Sequence, residues 1–115
     1  MIKKNTLLVC IISFSFSINA LNFDLDLPDG FQIDVFAEGL NSPRQITETD
    51  KGHIIVGSKK GNEVVALVKK NNETYNQVII ASGLENPAGV TMYEGDLYIA
   101  EMDTIWVVEK IDLWL

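Results

Sequence analysis

An all-β fold is predicted by three features of the sequence. Beyond its first 20 residues, the chain is a succession of short β-rich segments separated by Gly, Asn, Asp and Pro turns. Outside the leader, no window keeps apolar residues at helical spacing for more than two turns. A pattern recurring after about 44 residues gives the third feature, because that period suits a small antiparallel sheet repeated along the chain. With 115 residues there is room for one small domain and none for a multi-domain enzyme.

Residues 1–20 read as a signal peptide: Lys3 and Lys4, an apolar run from Leu7 to Phe16, then Ser17, Asn19 and Ala20. The run falls short of the roughly 20 apolar residues of a membrane span and is broken by Ser13, Ser15 and Ser17, so no stable span is expected after cleavage. Cys10, the single cysteine, lies inside the run and leaves with it. The exported part then has no disulfide or thiolate chemistry and must be held by packing. A periplasmic or secreted location follows from this reading.

The whole chain carries 9 basic and 16 acidic residues, and loss of Lys3 and Lys4 takes the net charge from −7 to about −9. Nucleic acid and anionic membrane surfaces are poor partners for such a chain, since both require a basic face.

Residues 21–30 form an extended lead-in that ends in Pro28-Asp29-Gly30. Phe31 to Phe36 alternates, with Phe31, Ile33 and Val35 on one side, and predicts a strand with one buried face. The repeat begins there. Val35-Phe-Ala-Glu-Gly-Leu-Asn-Ser-Pro-Arg-Gln-Ile46 aligns with Ile79-Ile-Ala-Ser-Gly-Leu-Glu-Asn-Pro-Ala-Gly-Val90. Gly52 to Gly57 aligns with Gly95 to Ala100, and Val64 to Val68 with Ile105 to Glu109. Tyr75 to Ala81 adds a further extended segment leading into the second copy.

Each element has a physical cause. Gly39 and Gly83 supply the positive φ needed where the chain leaves one sheet for the next. Pro43 and Pro87 fix φ and lack a donor, which suits the start of a strand. Gly52 and Gly95 close tight hairpins. Repeated four-stranded sheets of this period point to a β-propeller, with blade-like repeats at about 31–78 and 79–115. A propeller typically has about four to eight blades, and two leave apolar faces and edges uncovered. The expectation is therefore part of a ring, the alternative being a short chain that closes by oligomerising.

The segments Phe31–Arg44, Gly52–Ser58, Gly83–Val90 and Gly95–Glu101 together resemble the N-terminal blades of the glucose/sorbosone dehydrogenase family. The resemblance covers about residues 28–112, and its Gly-Leu-x-x-Pro and Gly-x-Leu-Tyr-Ile-Ala patterns also occur in gluconolactonase-like and NHL-type propellers. It implies an exported six-bladed propeller that binds pyrroloquinoline quinone and calcium and oxidises a sugar, alcohol or aldehyde. In that family the general-base histidine lies in a later blade, beyond the residues of this chain. The fragment itself is then expected to be inactive. A non-catalytic propeller that binds a ligand or partner chain is the alternative.

Candidate site residues are few. Arg44 opens the strand expected to be innermost, where a guanidinium could meet an anionic ligand at a channel mouth. It is the cofactor-binding candidate, although its counterpart in the second repeat is Ala88. His53, the single histidine, is read as a solvated turn residue rather than a general base, and its counterpart is Asp96. Asp96, Glu101 and Asp103 have the chemistry of calcium ligands but not the spacing of an EF-hand, and read as surface acids. Trp106 and Trp114 are expected in the core. Asn72-Glu-Thr74 fits a glycosylation sequon that matters only in a eukaryotic secretory pathway.

Overall fold

The structure, a computed structural model, describes residues 25–71 and 74–115. The signal-peptide reading of residues 1–20, the start of the lead-in and Asn72 of the sequon lie outside the described residues. The chain divides into two compact units, Met1–Asp34 and Val35–Leu115. In the first, the described part is an irregular stretch with a turn in which the Phe31 N–H donates to the Pro28 carbonyl at 3.2 Å.

The second unit is all-β. Strands β1 (Pro43–Glu48), β2 (Ile54–Ser58), β3 (Glu63–Lys69) and β4 (Tyr75–Ser82) form a four-stranded antiparallel sheet in chain order. Strands β5 (Gly89–Tyr93), β6 (Asp96–Ala100) and β7 (Ile105–Val108) form a second, three-stranded antiparallel sheet, followed by a short 3₁₀ turn, Ile111–Leu113. The repeat seen in the sequence is thus two meanders, with β5, β6 and β7 answering β1, β2 and β3. Strand β4 runs past residue 79 and belongs to the first sheet until Ser82.

The corners between sheets repeat as closely. Gly39 and Gly83 have φ of 73° and 74°, and Ser42 and Asn86, each before a proline, have φ of 53° and 49°. Non-glycine residues seldom hold that conformation, so its recurrence at both Gly-Leu-x-x-Pro corners reflects a shared turn.

The main core lies between the two sheets. Ile55, Val64 and Ala66 of the first sheet meet Val90, Leu97 and Ile99 of the second, with Ile111 at one end. Each buried Val, Leu or Ile contributes about 1.5–3 kcal/mol. A second cluster, Val56, Val65 and Leu67, faces the opposite way and is covered by Ala37, Leu40, Ile54 and Tyr75. Phe36 packs on Tyr75 with ring centroids 4.7 Å apart.

Close backbone approach fixes how the sheets meet. The Ser58 N–H donates to the Pro87 carbonyl at 3.1 Å and the Leu84 N–H to the Asn62 carbonyl at 3.1 Å. A Cβ on Gly57 would lie 2.6 Å from the Pro87 carbonyl oxygen, so only glycine fits there.

Two expectations are corrected here. Phe31–Phe36 forms no strand among the described residues, and Phe31 and Ile33 remain 69% and 49% exposed. The alternation is real, but a strand also needs a neighbour to pair with, and none of the described residues pairs with it. Trp106 and Trp114 are not core: they are 49% and 78% exposed, Trp106 on the outermost strand of the second sheet and Trp114 beyond the terminal 3₁₀ turn.

Candidate functional site

Arg44 lies near the start of β1, the edge strand of the first sheet, and is exposed. Its side chain makes no hydrogen bond or ion pair among the described residues. Strands β1 and β5, the first of each sheet, run close to one another. Beside Arg44, Gln45 reaches toward β5, where its side-chain oxygen lies 3.6 Å from the position a Cβ would take on Gly89. Gln45, Gly89, Thr91, Tyr98, Ala100 and Ile105 border an open groove of about 190 Å³. Its polar groups are one amide and two hydroxyls, able to orient a small neutral ligand but not to move a proton by themselves. Gln45 and Tyr98 were not singled out from sequence; the signal lay in Gly89, whose missing side chain opens the groove.

His53 is not solvated. It is 7% exposed, and its Nδ1 accepts the Lys69 N–H at 3.0 Å. Its own N–H donates to Thr49 Oγ1 at 3.2 Å, while its carbonyl accepts the Thr49 N–H at 2.9 Å. An Nδ1 that accepts carries no proton, so the imidazole is fixed as a structural acceptor that ties the β1–β2 hairpin to the end of β3. The turn chemistry of Asp50-Lys51-Gly52 suggested exposure, and it is Lys51 that takes the solvent side.

Asp96 fills the same place in the second sheet. Its Oδ1 accepts the Lys110 N–H at 2.9 Å and lies 3.4 Å from the Lys110 ammonium. The amide hydrogen bond, aided by the ammonium, holds the Asp96 carboxyl below the usual aspartate range. Glu101 Oε2 accepts the Glu85 N–H at 3.4 Å, and Asp103 Oδ1 accepts the Thr104 hydroxyl at 2.8 Å. The three carboxylates therefore serve separate donors and do not converge. Among the described residues no group of three or more His, Cys, Asp or Glu side chains could hold a metal ion.

Lys51 and Asp112 join the first sheet to the end of the second. The Lys51 N–H donates to Asp112 Oδ2 at 3.0 Å and its ammonium to the Asp112 carbonyl at 2.7 Å. Among the described residues no helix is long and apolar enough to cross a membrane.

Compared with known proteins, the chain is similar to an uncharacterized protein of Borreliella burgdorferi, at 31% identity over 107 residues. The match covers 92% of this chain and 27% of the relative, so the chain spans about a quarter of that protein's length. No family model matches, and no solved structure does.

Proposed function

We infer that this chain is the N-terminal part of an exported, six-bladed propeller of the glucose/sorbosone dehydrogenase type. The complete protein would oxidise a sugar, alcohol or aldehyde with pyrroloquinoline quinone. The observation that carries this reading is the repeat itself: two successive antiparallel meanders joined by matching Gly-Leu-x-x-Pro corners, with first strands β1 and β5 side by side. The length of the Borreliella relative, about 400 residues, supports it, being ample for a ring of six repeats.

The described residues do not by themselves fit the quinone or calcium. Arg44 is a single guanidinium without a converging partner, and the carboxylates of Asp96, Glu101 and Asp103 are spent on separate donors. Residues from other blades would supply those sites, and Arg44 would contribute one charge at the channel mouth. Exposed apolar residues on the second sheet also suit the alternative of a non-catalytic module that binds a partner chain.

The test is to read the coding DNA beyond the codon for Leu115 and assay the full product. The dehydrogenase reading expects further repeats of about 44 residues, a histidine-bearing segment in a later one, and dye reduction that requires added quinone and calcium. A stop codon directly after Leu115, or a full-length protein that neither binds quinone nor reduces dye with any sugar, alcohol or aldehyde, refutes it.

A further inference from the structure

We propose that residues 31–38 are the fourth strand of the last sheet in the full-length ring, so that two distant parts of one chain meet in a single sheet and lock the ring without a covalent bond. The proposal rests on the propeller reading above and names the partner of this segment: the third strand of the last repeat, beyond Leu115.

The repeat supplies the register. Continuing the alignment of Val35 with Ile79 places Phe31–Glu38 on Tyr75–Ser82, the whole of β4. Phe31 answers Tyr75, Gln32 answers Asn76, Phe36 answers Ile80 and Ala37 answers Ala81.

The corner that follows is the same in both places. Gly83 and Asn86, at φ 74° and 49°, carry the chain from β4, the fourth strand of the first sheet, to β5, the first strand of the second. Gly39 and Ser42, at 73° and 53°, carry it from residue 38 to β1. A corner of this shape joins the fourth strand of one sheet to the first strand of the next, so residues 31–38 belong to a sheet that precedes β1.

Packing within the second unit agrees. After the corner strand β4, Ala81 and Leu84 lie against the cluster that holds Leu97 and Ile99. Their counterparts Ala37 and Leu40 lie against the cluster that holds Val56, the counterpart of Ile99, with Ile54, the counterpart of Leu97, beside it. Phe36 stacks on Tyr75, and the Gln77 side-chain amide donates to the Glu38 carbonyl at 2.7 Å. Residues 36–40 thus cross the first sheet as residues 80–84 cross the second.

The β3–β4 register then dictates how the last sheet is completed. The residue in the place of Val64 faces Ala37, that of Val65 faces Val35, that of Ala66 faces Asp34, and that of Lys69 faces Phe31. Two bonds between sheets carry over as well. The Leu84 N–H donates to the Asn62 carbonyl and the Ser58 N–H to the Pro87 carbonyl. In the closed ring the Leu40 N–H donates to a carbonyl of the last sheet, and the Pro43 carbonyl accepts one of its amides. The last repeat accordingly contributes three strands and not four.

The experiment is hydrogen exchange with mass spectrometry on the full-length gene product and on its Val35→Pro variant. In the parent, amides of residues 31–38 are expected to be protected as strongly as those of 75–82. Val35→Pro removes a donor from the proposed ladder and should release residues 31–38 and the last repeat's third strand together, while β1 to β7 stay protected. The proposal is overturned by residues 31–38 that exchange as fast as residues 25–30 in an otherwise protected ring, by a variant that leaves the last repeat's protection intact, or by a last repeat that carries its own fourth strand; each of these leaves the ring reading standing. A gene product with no further repeats overturns the ring reading and this proposal together.

Discussion

His53 and Asp96 occupy the same position in successive sheets and accept the same hydrogen bond. His53 Nδ1 takes the N–H of Lys69 at 3.0 Å, and Asp96 Oδ1 takes that of Lys110 at 2.9 Å. In both sheets the lysine side chain then lies over the hairpin glycine, Gly52 or Gly95, within 3.8 Å of where a Cβ would stand. An imidazole and a carboxylate share little except a short-range acceptor, and that acceptor is what the repeat requires. The single histidine of the chain is thereby explained without catalysis.

Removing the acceptor at His53 should therefore cost stability. His53→Ala leaves the Lys69 N–H without its partner at a buried site, a loss of about 1–3 kcal/mol. His53→Asn, which presents an oxygen near the place of Nδ1, should recover most of it. Urea unfolding of the three proteins measures the difference, and equal losses for both variants would mean that packing, not the hydrogen bond, holds the hairpin.

Asp96 makes stability depend on acid pH. Its folded pKa is lowered, chiefly by the Lys110 amide and further by the ammonium, so the folded state binds this proton less readily than the unfolded chain. The contribution is present above the ordinary aspartate value of about 3.9 and is lost as pH falls through the lower folded value. Asp96→Asn should remove that part of the acid limb and leave the profile above pH 5 parallel to that of the parent, as read from thermal midpoints across pH 2 to 6.

Two glycines separate crowding from backbone strain. Gly57→Ala drives a methyl group against the Pro87 and Ala88 carbonyl oxygens, 2.6 and 2.9 Å from the ideal Cβ, and neither is a flexible side chain. A loss of about 1–3 kcal/mol is expected, with the two sheets loosened at that contact. Gly39→Ala meets no atom within 4 Å but must hold a φ of 73°, and should cost about 1–2 kcal/mol through backbone strain alone, without loosening the contact between the sheets. Denaturant midpoints in that order support the close approach of the sheets as the reason for Gly57.

Arg44→Ala should leave folding stability within about 0.5 kcal/mol, because the side chain is exposed and unpartnered among the described residues. In a full-length protein the same change should weaken binding of an anionic ligand at the first strands, measurable by titration. Loss of stability without loss of binding would remove Arg44 from the candidate site.

Much of the fold is written locally. Gly39 and Gly83 announce the corners because only positive φ turns the chain there, and the hairpins follow from Gly52 and Gly95. The repeat of β-rich segments also placed β2, β3, β6 and β7. What local chemistry does not contain is the identity of a neighbour. Phe31–Phe36 alternates as a strand should, yet its pairing depends on a sheet that the sequence pattern does not locate. Trp106 has the composition of a core residue but lies on the outermost strand of its sheet. His53 was misjudged because three turn residues precede it; its alignment with Asp96, another acceptor, was the clue to its burial. The groove at Gln45 and Tyr98 arises only when β1 and β5 come together, which no single segment specifies.

The central claim is that the two meanders are consecutive blades of a closed ring with β1 and β5 innermost. An experimental structure of the full-length gene product measures this most directly, by counting sheets and the strand of each that faces the axis. The account predicts six sheets around one axis with first strands inside. Sheets stacked in a line, or a product whose two sheets stand alone, would contradict it.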